Sequence, residues 1–492
     1  DPTPEPEPQP EPEPAPEPDP APVPETPLDN EEAGTGLTSP VLGMGLNGLA
    51  DWSTQDAFID LMKTSRQWVS HTEGGSWNDY PYSELEAGGY LDENGWLKEM
   101  PDGVRAVETL MMVDLPEDAT SFDGRYRVTY EGEGTLGVRG AQDVTYEDGE
   151  IRFTRDGGSS ITLSIEDTDP GNTGDYIRDI EVVRERHIEM HDAGAVFNPD
   201  WIDTIDDLRL IRFMDWMETN GSDQSEWSGR PQVEDVTYTD GAPLEVMVQL
   251  ANEIGADPWF NMPHLATDEY VAEFSEYVRD NLDPDLKAHV EYSNEIWNFQ
   301  FEQTQWAIQQ AEARWGTSDN GAWMQYAGMR AAEVAQIWDE TFEGAADERV
   351  VNVAGVHTGW LGLEGNFFEA PLWVAEDPQN NEAPVENFDA YGVTGYFGSL
   401  GGDKADMVRD WLDESASAAE AAANTRGLTG TGRAEYIEAH RYDLAVDNAA
   451  AELRDNELAT RLEEHLPYHA EAADSYGLDL VMYEGGTHVV GR

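Results

Sequence analysis

The chain of 492 residues contains no cysteine, so disulfide frameworks, thiolate metal sites, iron–sulfur clusters and thiol nucleophiles are excluded. It has only four lysines (Lys63, Lys98, Lys287 and Lys404) among 28 basic residues, and these face 101 Asp and Glu for a net charge of −73. Charge of that sign repels phosphate backbones and anionic membrane surfaces, so neither is expected as a partner. No run of about 18 apolar residues occurs, which excludes a membrane-spanning helix of ordinary length. What the chain does hold is aromatic: 16 Trp, 19 Tyr and 14 Phe supply side chain for a large core.

The acid is not confined to one tail. Residues 1–32 carry 11 acids and no base, leaving 90 acids against 28 bases in the rest. Self-repulsion on that scale loosens a compact state in dilute buffer. At 1 M salt the screening length falls to about 3 Å, which relieves it. Adaptation to a salty medium is therefore expected.

Composition divides the chain. Thirteen of the 28 prolines lie in residues 1–27, alternating with Glu, Asp, Gln and Ala. Fixed φ angles and like charges keep such a segment extended, so 1–36 is read as a disordered acidic linker, suited to tethering a module at a cell surface. The first residue is Asp rather than Met, consistent with an export signal removed upstream and a secreted or cell-surface location. Residues 37–103 begin a globular domain, with a first buried strand over Val41 to Asn47. A helix is expected over Thr54 to Val69, capped by Thr54 and apolar at Phe58, Leu61 and Met62, followed by a long loop over 70–103. Residues 104–184 alternate polar and apolar side chains between Gly-rich turns, as in Arg125 to Tyr130, Glu150 to Thr154, Ile161 to Ile165 and Ile177 to Val183. That pattern predicts an inserted all-β sandwich. Residues 185–492 alternate strand-like and helix-like segments, the pattern of a parallel α/β fold. Strands are expected at Leu208 to Asp215, Asp257 to Pro263, Ala288 to Asn294, Val350 to Gly355, Ala390 to Phe397 and Leu478 to Tyr483. Helices are expected at 268–282, 301–314, 322–341, 403–424 and 433–474. Seven core strands result, and an eighth is not evident.

Two short segments carry the chemistry. Tyr292-Ser293-Asn294-Glu295-Ile296-Trp297 spans the end of the fourth strand, and Tyr483-Glu484-Gly485-Gly486 ends the seventh. In barrels of parallel strands, reactive groups gather at the carboxyl ends of the strands. Two carboxylates 189 positions apart, both at such ends, suit glycoside hydrolysis, where a retaining enzyme holds an acid/base and a nucleophile about 5–5.5 Å apart.

With those motifs the chain resembles the clan A glycoside hydrolases, retaining (β/α)8-barrel enzymes. The resemblance covers about residues 37–69 and 185–492. It implies Glu295 as acid/base, Glu484 as nucleophile, and Asn294 as donor to the sugar 2-hydroxyl. It implies a β-glycosidic polysaccharide or oligosaccharide as substrate, without cofactor or metal.

Other strand-end residues are candidates for substrate binding. Arg212 can hold a catalytic carboxylate ionised; His264, His357 and Tyr396 can bond the sugar or the nucleophile. Trp216, Trp259, Trp297 and Trp360 offer faces on which sugar C–H groups stack, against the alternative of core packing. His488 is a weaker candidate. His187 and His191 lack the Glu spacing of a zinc protease, and Asp167 to Asp175 reads as an acidic turn before a calcium loop. A non-catalytic carbohydrate-binding or surface-scaffold protein, and a lyase using the same carboxylates, are the alternatives.

The charge excess predicts that the protein loses structure on dialysis from molar salt into dilute buffer, followed by circular dichroism. An unchanged spectrum would remove the salt adaptation.

Overall fold

The computed structural model describes residues 43–116, 119–147, 149–158 and 160–487. The acidic linker and His488 lie outside the described residues. Fifteen strands are described. β1 (Met44–Gly45) opens the chain. An antiparallel set follows: β2 (Val69–Thr72), β3 (Val104–Met111), β4 (Gly124–Glu131), β5 (Gly134–Arg139), β6 (Gln142–Glu147), β7 (Glu150–Arg155), β8 (Ile161–Thr168) and β9 (Arg178–Arg184). Then come β10 (Leu210–Arg212), β11 (Asp257–Met262), β12 (Ala288–Tyr292), β13 (Val350–Gly355), β14 (Ala390–Phe397) and β15 (Asp479–Thr487).

β1 and β10 to β15 form one seven-stranded sheet, paired in chain order and parallel throughout. Helices lie between its strands, among them Leu244–Ile254, Asp268–Asn281, Glu302–Trp315, Ala322–Phe342 and Ala405–Thr425. The sheet is barrel-like, since side chains of β10 reach those of both β12 and β15 across its interior. The outer strands β1 and β15 are largely exposed, but its central strands are mostly buried: five of six residues in β11 and the first five of β14. A parallel sheet covered on both faces requires that. Among the described residues no eighth strand joins β1 to β15.

The antiparallel strands make two four-stranded sheets, ordered β2-β3-β8-β5 and β6-β7-β4-β9. One apolar cluster lies beneath them, including Trp68, Val107, Tyr126, Val128, Phe153, Leu163 and Val182. A second cluster fills the parallel sheet and its helices.

The helix expected over Thr54 to Val69 does not form. Phe58 is buried in the parallel-sheet cluster, whereas Leu61 and Met62 are buried in the antiparallel one. The apolar spacing marks a segment crossing between two cores rather than one helix face. Only a single 3-10 turn, Leu61–Thr64, is helical, capped by Asp60, whose Oδ1 accepts from the Met62 amide at 3.0 Å. Antiparallel pairing also begins before residue 104, because β2 lies in the stretch read as loop and pairs with β3. The single helix expected over 433–474 is three helices, Gly430–His440, Asp443–Leu453 and Leu466–Tyr476, with two π turns between the last two.

Packing is close where helix Ala322–Phe342 crosses helix Glu364–Glu369. A methyl group on Gly328 would stand 2.0 Å from the Phe367 carbonyl oxygen, a backbone atom. Gly328→Ala is therefore expected to cost about 1–3 kcal/mol of stability, read as a lowered thermal midpoint. An unchanged midpoint would contradict the close crossing.

Candidate active site

Arg212 ends β10 and is 2% exposed. Its Nη2 donates to Glu291 Oε2 at 2.8 Å and to Asn294 Oδ1 at 2.9 Å, while Nη1 donates to Glu484 Oε1 at 2.8 Å. Its guanidinium lies over the rings of Trp259, at 5.5 Å, and Tyr483, at 5.1 Å. Burial alone would lower its pKa, but Glu291 and then Glu484 outweigh burial and hold it above its ordinary value. One cation thus joins strand two to strands four and seven.

Glu291 lies in β12 with its side chain inward. Besides Arg212, its Oε2 accepts from Trp259 Nε1 at 3.0 Å and Asn261 Nδ2 at 2.8 Å. Gly355 on the neighbouring β13 leaves it room, since a Cβ there would stand 2.8 Å from Glu291 Oε1. Asn261 also donates to the Ser293 carbonyl at 2.8 Å, which steadies the turn leaving β12.

That turn is strained. Ser293 and Glu295 both have positive φ, at 61° and 41°. Non-glycine residues rarely hold such angles, and they do so where surrounding contacts dictate the backbone. Here Asn294 is fixed by Arg212 on one side and by Asn220 Oδ1, at 3.0 Å, on the other; Gln303 Nε2 donates to Asn220 Oδ1 and to the Asn294 carbonyl, each at 2.8 Å. Glu295 Oε2 accepts from Asn298 Nδ2 at 3.0 Å. Burial raises the pKa of Glu295, the Asn298 bond opposes this, and the charge of Glu484 raises it further.

Glu484 does not end its strand, as the sequence suggested. β15 runs on to Thr487, paired with β14 to Phe397. The register slips there: Met482 is opposite Val393 but Glu484 is opposite Thr394, so Tyr483 is an extra residue. Neighbours on a regular strand point to opposite faces, and a bulge lifts that restriction. Tyr483 and Glu484 accordingly both serve the same site. Tyr483 donates a long hydrogen bond, 3.4 Å, to Glu295 Oε1, and Glu484 meets Arg212. The second oxygen of Glu484 accepts from the Tyr396 hydroxyl at 2.8 Å. Burial, with the bond to Glu484, raises the Tyr396 pKa.

The remaining candidates divide. Trp297 is buried and meets the His357 ring edge-on at 4.4 Å. His357 Nδ1 accepts from the Gly359 amide at 2.9 Å, and burial lowers its pKa. Trp360 is 47% exposed and stands 6.4 Å from Trp323, which in turn meets exposed Phe299 at 5.3 Å. His264 is buried against Trp306, its carbonyl accepts from Tyr292, and burial lowers its pKa to about 4. Trp216 departs from the expected platform: it is fully buried, stacked on Trp201 and beside Phe58, with its indole N–H on the Asn47 carbonyl. Core packing claims it. Trp259 is likewise turned inward, on Glu291.

The sequence reading missed Glu291, Asn261, Asn220, Asn298, Gln303 and Tyr483. A signal existed for two of them, since Glu291 and Asn261 are polar residues inside otherwise apolar strands, where burial demands partners.

Fold and site together define an α/β protein with a barrel-like parallel sheet and paired carboxyl groups at its centre. No protein-family model matches the sequence, and no curated protein is similar to it at a significant level. Among solved structures, the CBM22-1–GH10 modules of Clostridium thermocellum endo-1,4-β-D-xylanase 10B complexed with xylohexaose are similar at 10% identity and a TM-score of 0.28. The match covers 87% of this chain and 91% of that one. Likeness at that level says nothing of what this chain does.

Removing the guanidinium would leave Glu291 and Glu484 facing a void with their charges unmet. Arg212→Met is expected to cost about 3–5 kcal/mol, read from the denaturant midpoint in molar salt. Arg212→Lys is not expected to restore it, because a compact ammonium cannot reproduce the planar fork to Glu291, Asn294 and Glu484. A wild-type midpoint in either variant would contradict this role.

Proposed function

We propose that the chain is a retaining glycoside hydrolase that cleaves β-glycosidic bonds of a polysaccharide by double displacement. One observation carries the reading. The carboxyl of Glu295 is biased toward its protonated form by burial and by Glu484, while both oxygens of Glu484 accept hydrogen bonds, from Arg212 and Tyr396. One carboxyl is thus pushed toward its acid form beside a second that is held by donors at both oxygens, which suits the division of labour such chemistry needs.

In the first step Glu295 donates its proton to the glycosidic oxygen as the bond to the anomeric carbon breaks. Glu484 attacks that carbon, forming a glycosyl ester. In the second step Glu295, now a carboxylate, takes a proton from water, whose oxygen displaces the ester and frees Glu484. Asn294, oriented through Oδ1 by Arg212, directs its amide toward the sugar 2-hydroxyl. Trp297, His357 and exposed Trp360 supply contacts along the sugar chain. The acidic linker would hold the domain away from a cell surface, and the charge excess would suit it to a salty exterior. Among the described residues no helix is long and apolar enough to cross a membrane.

Glu484→Gln is expected to abolish turnover of polysaccharide while leaving the circular dichroism spectrum intact; normal hydrolysis would refute the nucleophile. In the wild type, kcat/KM should fall as pH rises through a pKa above the ordinary glutamate value, because the acid form of Glu295 is lost. Glu295→Gln should lower kcat/KM roughly 10²–10⁴-fold and remove that limb from the pH profile. Persistence of the limb would reassign the acid.

A further inference from the structure

A concavity of about 800 Å³ opens where the loop after β10 meets the segment around β2. That volume lies within the range of ligand-holding clefts, about 300–1,000 Å³. Gln67, Tyr82, Asn94, Gly229, Gln232 and Asp240 are among the residues lining it.

Its walls are stitched together. The Val236 amide donates to the Asn94 carbonyl at 3.0 Å, the Thr237 hydroxyl to the Ser65 carbonyl at 2.6 Å, and the Tyr238 amide to the Lys63 carbonyl at 2.8 Å. Gln67 bonds across to Asp240. Val236 itself is buried in the apolar cluster of the antiparallel sheets. The concavity is therefore a built feature shared by both parts of the fold, rather than a gap between loose loops.

It also adjoins the paired carboxyls. The loop that forms one wall leaves β10 directly after Arg212 and returns to it, with the Ala242 amide on the Trp216 carbonyl at 2.7 Å. A line of acids runs between the two places. Glu218 is raised by burial and then by Asp215 and Asp240, and Asp215 by burial and then by Glu484. Glu218 and Asp215 lie together beside Gly48, where a Cβ would stand 3.8 Å from Glu218 Oε1 and 3.9 Å from Asp215 Cβ.

We propose that this concavity holds further units of an uncharged glycan chain whose scissile bond lies at Glu295 and Glu484. The proposal rests on the hydrolase reading for its orientation. The lining fits sugar: amide, hydroxyl and carboxyl groups for the ring hydroxyls, with the half-buried ring of Tyr82 in the wall. Its charge selects among sugars. Glu86, Glu93, Glu234, Asp235 and Asp240 face one Arg230, which is committed to Glu245 at 2.6 Å. A uronate or sulfated chain would bring more negative charge into that wall, so anionic glycans are excluded.

Gly229 offers a clean obstruction. No atom lies within 4 Å of a Cβ added there, and its φ is not one that side chains avoid, so Gly229→Trp projects into the open space at little structural cost. The test uses the full chain in molar salt, with the Glu484→Gln background for binding. Calorimetry with uncharged β-linked hexaoses (gluco-, xylo- and manno-) should give, for at least one, affinity tenfold or more above the matching disaccharide. Adding Gly229→Trp should remove that difference. In the active enzyme, the ratio of kcat/KM for hexaose over disaccharide should drop at least tenfold with Gly229→Trp. Oligogalacturonate should bind at least tenfold more weakly than the best uncharged hexaose.

A length preference untouched by Gly229→Trp would overturn the site, as would the failure of every hexaose to bind. Equal or tighter binding of oligogalacturonate would overturn the selection by charge. Hexaose binding that is blocked by Gly229→Trp in a protein without hydrolytic activity would uphold the cavity and sink the hydrolase reading instead, so the two fail separately.

Discussion

A single guanidinium, buried and forked, organises the interior of the parallel sheet. Arg212 cannot leave its charge unpaired at that depth, and it meets Glu291 and Glu484 on strands that are far apart in sequence. Removing the guanidinium would leave both carboxylates without their cation in a poorly solvated place, which is far costlier than losing a surface pair. The consequence is geometric as well as energetic. Because Arg212 also bonds Asn294, the positions of the strand-four turn and the strand-seven carboxylate are set by the same atom group. Glu295 then follows from its neighbour, held in a left-handed backbone conformation that only a constrained turn sustains.

The bulge at Tyr483 is the second device. A regular strand would send Tyr483 and Glu484 to opposite faces, and the phenol could not reach Glu295 while the carboxylate reached Arg212. One unpaired residue solves this and brings a hydroxyl, a carboxylate and a guanidinium into contact in a small volume. The electrostatic result is asymmetric. Glu295 has one amide donor and one distant phenol against burial and a neighbouring charge, and it is biased toward its acid form. Glu484 is bonded at both oxygens.

Much of this was legible in the sequence, for identifiable reasons. Strands that are covered on both faces are predominantly apolar, so Val350–Gly355 and Ala390–Phe397 stand out with their true boundaries despite Asn352 and Thr394. Glu295 and Glu484 were legible because they follow directly on such runs. The bulge was not, since nothing in Met482-Tyr483-Glu484 distinguishes an extra residue from a paired one. Nor was the segment from Thr54 to Val69, whose apolar residues serve two cores at once and so imitate the period of one helix. Trp216 misled in the opposite way: its place after a strand suits a binding platform, but Phe58 and Trp201 from distant segments enclose it. Partners contributed from elsewhere in the chain decide such cases, and local patterns do not carry them.

The central claim is that Glu484 attacks an anomeric carbon while Glu295 supplies the proton. Trapping tests it most directly, with a panel of 2-deoxy-2-fluoro glycosyl fluorides, in which the C2 fluorine slows both steps while the fluoride leaving group keeps ester formation fast enough for the ester to accumulate. Intact mass followed by peptide mapping should find one fluorosugar added and fluoride lost, with the sugar esterified to Glu484. A sugar mapped to any other residue, or no covalent adduct from a substrate that the enzyme demonstrably hydrolyses with retention, would contradict the account.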